Sequence, residues 1–344
     1  MLKNNFTNAK MRLIIVRSLI FASLLFWVIL TLLPAKRILE NDPPYLYSSE
    51  CEDRLFQIFI GAIARAKEEI HLVIYALNDS KVIRALNKAS QRGIVIKVIY
   101  DHKTDSQELT ALSKEIKKIP TRGSALMHRK ILIIDRDELY IGSANFTPPS
   151  LRLHYNLVIG MRSKQLSERI IDPTLPPTSI EVGGQYIEFY TFPEDRQVGV
   201  PRLLELIDSA RDSLVIGMFT WTYAPLTEAI IKAHRRGVKV TAILDQQSAY
   251  GASNKTLIAL LEAGIEVKIG PGGKLFHHKF LYIDQQKLAT GSSNWTKAAF
   301  SRNQDCLLIL HHLTTKQRKK MARMIKIIRC TTFSAHKEDL VVLR

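Results

Sequence analysis

The chain has 344 residues, 46% of them hydrophobic, enough for two ordinary domain cores and too mixed in polarity for a disordered chain or a polytopic membrane protein. Lysine and arginine number 49 against 32 aspartates and glutamates, and the formal charge of +17 favours a polyanionic partner, nucleic acid or an anionic lipid surface, without choosing between them. Cys51, Cys306 and Cys330 show no Cys-x-x-Cys spacing, so neither a zinc site nor a disulfide framework is indicated.

Residues 1–37 read as an export signal or membrane anchor. Lys3, Lys10, Arg12 and Arg17 precede an uncharged run from Ser18 to Leu33, predicted to be an N-terminal hydrophobic helix. The run ends Leu33-Pro34-Ala35-Lys36-Arg37, a poor small-x-small cleavage site, which favours a retained anchor; secretion after cleavage is the alternative. The positive N-terminal flank puts everything after Pro34 outside the cytoplasm.

The rest of the chain repeats itself. A β-branched run, Leu72-Val73-Ile74-Tyr75-Ala76, leads through a helical stretch to Arg92-Gly93 and a second run ending at Asp101. Leu214-Val215-Ile216-Gly217-Met218, Arg236-Gly237 and Asp245 repeat the pattern. β-branched runs separated by a helix closed on glycine predict β-α-β units and a largely parallel sheet in each half. The expected divisions are a first α/β repeat at 44–165, a linker at 166–184 around the proline-rich Asp172–Pro177, a second repeat at 185–312, and a basic C-terminal helix and tail at 313–344. In that last segment Met321, Met324, Ile325 and Ile328 share one helical face. This suits packing on the second repeat, or a helix lying on anionic headgroups.

The chemistry-bearing residues stand late in each repeat. The first has His128-Arg129-Lys130 with Asp135, then Gly142-Ser143-Ala144-Asn145-Phe146. The second has His277-His278-Lys279 with Asp284, then Gly291-Ser292-Ser293-Asn294-Trp295. Each second-half position lies 149 residues after its counterpart (128 to 277, 135 to 284, 145 to 294). In a strand, positions two apart share a face, so each His-x-Lys pair can point into one cleft and surround a phosphate with two imidazoles and two ammonium groups. A phosphodiester repels nucleophiles by its own charge; fixed cations, with amide donors from Asn145 and Asn294 and hydroxyls from Ser143 and Ser292, would stabilise the added charge of its transition state. Asp135 and Asp284 each follow an apolar strand, and capping the ensuing turn is as good a role for them as touching the site. His278 is expected to face outward, and Phe146 and Trp295 to anchor the core.

The doubled His-x-Lys-x-x-x-x-Asp pattern, each copy followed by Gly-Ser-x-Asn, resembles the phospholipase D superfamily over about Leu46 to Leu310. The resemblance implies an α/β fold of two α/β/α sandwich repeats packed as a pseudo-dimer within a monomer, with one active site between them. It implies no cofactor and no metal. Its catalytic residues would be His128, Lys130, Asp135, His277, Lys279 and Asp284, with Ser143, Asn145, Ser292 and Asn294 binding substrate. One histidine would attack phosphorus to give a phosphohistidine while the other protonates the leaving alkoxide.

The same offset sets Asn156 opposite Asp305, where the family commonly holds a polar residue that orients a catalytic histidine across the cleft. Asp305 is therefore expected to support His128 as nucleophile, and Asn156 to support His277 as acid. The activity expected is hydrolysis or transfer of the phosphatidyl group of a membrane phospholipid, of the phosphatidylcholine-directed type. The alternatives are a membrane-tethered nuclease acting on nucleic acid, a cardiolipin synthase-like phosphatidyltransferase, and a non-catalytic binding protein that keeps the fold.

Overall fold

The computed structural model describes residues 37–104 and 107–336, together with Ser18 and Ser23. Residues 1–37 and 38–344 are separate compact units, and apart from those two residues the apolar run lies outside the described residues. Among the described residues no helix is long and apolar enough to cross a membrane.

Two sheets carry the larger unit. In the first half, chain order gives β1 (Tyr45–Ser48), β2 (Glu69–Ile74), β3 (Val95–Asp101), β4 (Lys117–Thr121), β5 (Lys130–Ile134), β6 (Glu138–Gly142) and β7 (Leu157–Arg162). They form one seven-stranded sheet ordered β1-β7-β6-β5-β2-β3-β4. The second half supplies β8 (Thr178–Val182), β9 (Gln185–Phe192), β10 (Ser213–Met218), β11 (Lys239–Leu244), β12 (Glu266–Ile269), β13 (Lys279–Ile283), β14 (Lys287–Gly291), β15 (Asp305–Leu310) and β16 (Phe333–Ala335). The order β16-β12-β11-β10-β13-β14-β15-β9-β8 repeats the first sheet strand for strand and adds one strand at each edge.

Each sheet is mixed, where a largely parallel one was expected. Only β2-β3-β4 and β10-β11-β12 run parallel, being joined by helices such as Ser80–Gln91 and Ala224–Arg235; β5-β6 and β13-β14 are hairpins, which force antiparallel pairing. The strand equivalence also differs from the expected one. Leu72 pairs with Leu132 and Ile216 with Leu281, so β2 and β10 correspond at an offset of 144 (72 to 216), and Tyr75 matches Phe219.

The proline-rich stretch separates two structured pieces, so 166–184 is not a bare linker. The helix Lys164–Ile171 buries Leu166 and Ile170. In β8, Ile180 and Val182 alternate inward and pair the strand with β9, because burying them outweighs leaving the segment in solvent. The C-terminal helix Thr315–Thr331 opens on a capping box at Thr314 and Gln317 and buries Met321, Met324 and Ile328 in a core shared by both sheets. Its apolar face is thus occupied by protein, and Lys319 and Lys326 stand exposed on the other side.

That shared core decides how the halves meet. Ile131, Ile133, Leu139 and Ile159 of the first sheet lie in one buried cluster with Phe280, Tyr282, Leu288 and Leu308 of the second. Gly142 and Gly291 are required where β6 and β14 end: a Cβ at either would fall 2.3 Å from the carbonyl oxygen of Leu157 or Cys306.

The hairpin turns account for the two motif aspartates. Asp135 and Arg136, like Asp284 and Gln285, adopt left-handed backbone, which aspartate tolerates better than most residues. The Asp135 carboxylate accepts N–H bonds from Lys67, Glu68 and Glu69, and Asp284 accepts them from Arg211, Asp212 and Ser213. Both therefore sit at the end of the strand remote from its His-x-Lys pair and tie β5 and β13 to the entrance of β2 and β10. Burial opposes ionisation of Asp284, but the three backbone donors outweigh it and hold the carboxyl below its ordinary range. Asp284→Ala should lower stability by about 1–3 kcal/mol while leaving turnover per folded molecule within about twofold of wild type. Chemical unfolding and initial-rate assays on the same preparation check both halves of this expectation.

Candidate active site

Each His-x-Lys pair is positioned by the opposite repeat. The His128 N–H donates to the Gln304 carbonyl and the Gln304 N–H to Leu126; in the mirrored seam the His277 N–H donates to Tyr155 and the Tyr155 N–H to Leu275. Short parallel bridges, Met127 to Gln304 and Tyr155 to Phe276, complete these crossings. Asp101 and Asp245 fix the loops just before the motifs, accepting the Met127 and Phe276 N–H groups at 2.7 and 2.9 Å. The residues between histidine and lysine lock the same seam from behind. Arg129 pairs with Glu194, and His278 is fully buried against Glu50. His278 was expected to face solvent; it turns inward because Phe276, Phe280 and the Glu50 carboxylate enclose it.

Side-chain bonds cross the seam as well. His128 Nδ1 lies 2.9 Å from Asp305 Oδ1, and His277 Nδ1 lies 3.2 Å from Asn156 Oδ1. The Asn156 amide has one orientation: its Nδ2 donates to the Ser150 carbonyl at 2.9 Å and its Oδ1 accepts the Ser143 hydroxyl at 2.8 Å. Facing an acceptor, Nδ1 of His277 carries the proton, and the same holds for His128 against a carboxylate. Each Nε2 is thereby left without a partner among the described residues.

Ser143 and Ser292 were expected to bind substrate. Both are fully buried and already committed, Ser143 to Asn156 and Ser292 to Asp305 Oδ1 at 2.7 Å, while each hydroxyl oxygen accepts a backbone N–H. They orient the orienting residues. Asn145 and Asn294 keep carboxamides without hydrogen-bond partners among the described residues; their Oδ1 atoms are buried, leaving the amide nitrogens as the accessible ends. Lys130 and Lys279 donate to the carbonyls of His128 and His277. Phe146 and Trp295 are buried core residues, packed on Phe59 and Trp221.

Four basic side chains thus share one water-poor site. Burial, then the Lys130 ammonium, push the His128 imidazole below its ordinary range, against the pull of Asp305. Burial and Lys279, with Lys130, His128 and His154 behind them, drive His277 well below its range, since no carboxylate answers it. Burial pulls Lys130 down to about 7 and, joined by repulsion from Lys130, takes Lys279 well below the usual lysine value. For Asp305, burial favours the neutral acid, but His128, Lys130 and Ser292 outweigh it and hold the carboxylate ionised. A site of this kind is short of negative charge, and an anion entering it would raise all four basic groups together. Among the described residues no group of three or more His, Cys, Asp or Glu side chains is placed to hold a metal ion.

Comparison with known proteins bears on the family. A family model described as "Cardiolipin synthase, PLD-like domain" matches residues 59–172 and 203–325, most of the chain and both repeats. The chain belongs to the phospholipase D superfamily. It is 36% identical over 130 residues to human mitochondrial cardiolipin hydrolase, covering 36% of this chain and 51% of that one. To a protein named phospholipase D from Rickettsia bellii it is 30% identical over 165 residues, covering 48% and 69%. The chain spans about half the length of the human relative and of its mouse and zebrafish counterparts. Among solved structures, phosphatidylserine synthase from Haemophilus influenzae superposes with a TM-score of 0.66 at 14% identity, covering 87% of this chain and 89% of that one, which is a likeness of fold.

Burial of Lys130 makes a stability prediction. With its folded-state pKa near 7, the unfolded chain holds a proton between about pH 7 and 10.5 that the folded chain has released, so stability rises with pH across that window. Lys130→Met removes this dependence. The variant should melt above wild type at pH 7, and the gap should narrow by pH 9; thermal melts at both values check the sign, and a wild type that melts higher at pH 7 would contradict it.

Proposed function

We propose that this chain is a phosphodiesterase of the phospholipase D type, acting on a membrane phospholipid through a phosphohistidine. The crossed pairing of His128 with Asp305 and of His277 with Asn156 carries the reading. It gives two buried imidazoles the same tautomer and unequal electrostatic support, a carboxylate for one and a neutral amide for the other, which suits a nucleophile and an acid sharing one phosphorus.

In this reading His128 Nε2 attacks phosphorus and the bond from phosphorus to the leaving oxygen breaks. Asp305, facing Nδ1–H, stabilises the positive imidazole of the phosphohistidine. His277 takes up a proton as the phosphodiester anion enters, offsetting the surrounding cations, and passes it to the leaving alkoxide. In the second step a water or alcohol attacks the phosphohistidine, its proton goes to His277, and His128 departs. Lys130, Lys279 and the Asn145 and Asn294 amides face the non-bridging oxygens. Hydrolysis and transfer differ only in which hydroxyl enters second.

Several observations favour lipid. Relatives carry the names cardiolipin hydrolase and phospholipase D, the charge is +17, and residues 1–37 have the pattern of a membrane anchor, on which rests our further proposal that the catalytic part lies at a membrane outside the cytoplasm. The phosphatidylcholine preference rests on the general resemblance alone; the names and the charge put cardiolipin and phosphatidylglycerol ahead of it.

The test is turnover of the purified chain on vesicles of cardiolipin, phosphatidylglycerol or phosphatidylcholine, and on single-stranded DNA. Release of a phosphatidyl product from vesicles is expected. His128→Ala and His277→Ala should each reduce it by about a thousandfold or more with unchanged circular dichroism. Cleavage of DNA without lipid turnover would transfer the assignment to a nuclease, and a single histidine variant near wild-type rate would defeat the shared site.

A further inference from the structure

The two half-sites share a position that lies in neither motif. Tyr75 directly follows β2 and Phe219 directly follows β10, and their N–H groups donate to equivalent carbonyls, those of Arg129 and His278. The Tyr75 ring stands 5.2 Å from the His128 ring, tilted by 64°, with Lys130 Nζ 5.1 Å from its centroid. The Phe219 ring stands 4.9 Å from His277, tilted by 60°, with Lys279 Nζ 4.8 Å away. Each ring therefore walls one histidine and lies under one lysine.

The two walls differ in one polar atom, the Tyr75 hydroxyl. It has no hydrogen-bond partner among the described residues and is accessible from outside the protein, since Tyr75 is half-buried and its oxygen is not among the buried unpaired atoms. Burial, then Asp101, raise its pKa, so it stays an O–H donor through neutral pH.

We propose that the Tyr75 hydroxyl is a substrate-contacting donor, aimed at a phosphoryl oxygen of the group seated on His128, and that Phe219 leaves the opposite half-site without such a donor for the departing and entering alcohols. This rests on the phosphodiesterase reading for its place in a reaction, though not for its geometry. The hydroxyl makes the cleft directional: the phosphoryl group is held by one more hydrogen bond on the His128 side, while the His277 side presents an apolar wall.

Calorimetric titration of inorganic phosphate into the full chain decides it. Tyr75→Phe keeps the ring and its contact with Lys130 and should weaken phosphate affinity by about 10- to 100-fold, the range of one hydrogen bond to a charged group. The melting temperature should not fall, because the lost hydroxyl bonds nothing in the protein. Tyr75→Phe/Phe219→Tyr, which moves the hydroxyl to the other wall, should stay weak. Equal phosphate affinity in wild type and Tyr75→Phe overturns the proposal, as does a loss of affinity matched by a lower melting temperature. Binding needs no turnover, so a wild type that binds phosphate but cleaves no phosphodiester would defeat the phosphodiesterase reading and leave this comparison intact.

Discussion

Concentrating His128, Lys130, His277 and Lys279 in one buried cleft is the constraint that the rest of the structure serves. Cations out of water repel one another and lose hydration, and one carboxylate, Asp305, directly meets the histidines among the described residues. The arrangement persists because its surroundings are over-determined. Paired backbone crossings, the Asp101 and Asp245 clamps, the Arg129–Glu194 and His278–Glu50 pairs and an apolar core common to both sheets hold the motifs in place. Burying these basic groups opposes stability locally, and it leaves a field already oriented toward an entering anion.

Duplication explains the architecture, and small departures from it explain the chemistry. The sheets match strand for strand, and every crossing that fixes His128 has a counterpart fixing His277. Against that background Asp305 opposite Asn156 gives one imidazole a negative partner and the other a neutral one. Tyr75 opposite Phe219 gives one wall a donor and the other none. A fully symmetric site would hold both histidines in the same state; these two exchanges are the asymmetries on which the proposed division of roles, phosphorus held on one side and oxygen exchanged on the other, rests.

Much of this was legible in the sequence where spacing carries geometry. Two His-x-Lys pairs at one offset imply a shared cleft, and the same offset carried forward finds Asn156 and Asp305. What stayed hidden depended on three-dimensional competition for hydrogen bonds. Ser143 and Ser292 look like free donors until Asn156 and Asp305 are seen to take them, and Asp135 and Asp284 look catalytic until three backbone N–H groups claim each carboxylate. His278 read as a surface residue because the Glu50 that buries it lies 228 positions away in the chain. Tyr75 and Phe219 went unseen because the first strands were aligned two residues out of register, which no motif in β2 or β10 corrects. The mixed sheets follow from hairpins whose turns carry aspartate and arginine or glutamine rather than glycine, so the usual turn signature is missing.

In the proposed mechanism a covalent phosphoryl group forms on a histidine of the first repeat and not the second. Rapid acid-free quenching of the enzyme during turnover of a nitrophenyl phosphodiester, followed by proteolysis and mass spectrometry under alkaline conditions that preserve phosphohistidine, reads this directly. The expected adduct is the phosphoryl group still bearing its remaining ester, on the peptide containing His128, and it should persist in His277→Ala because a nitrophenolate leaves without protonation. The same adduct on His277 with none on His128 would contradict this assignment.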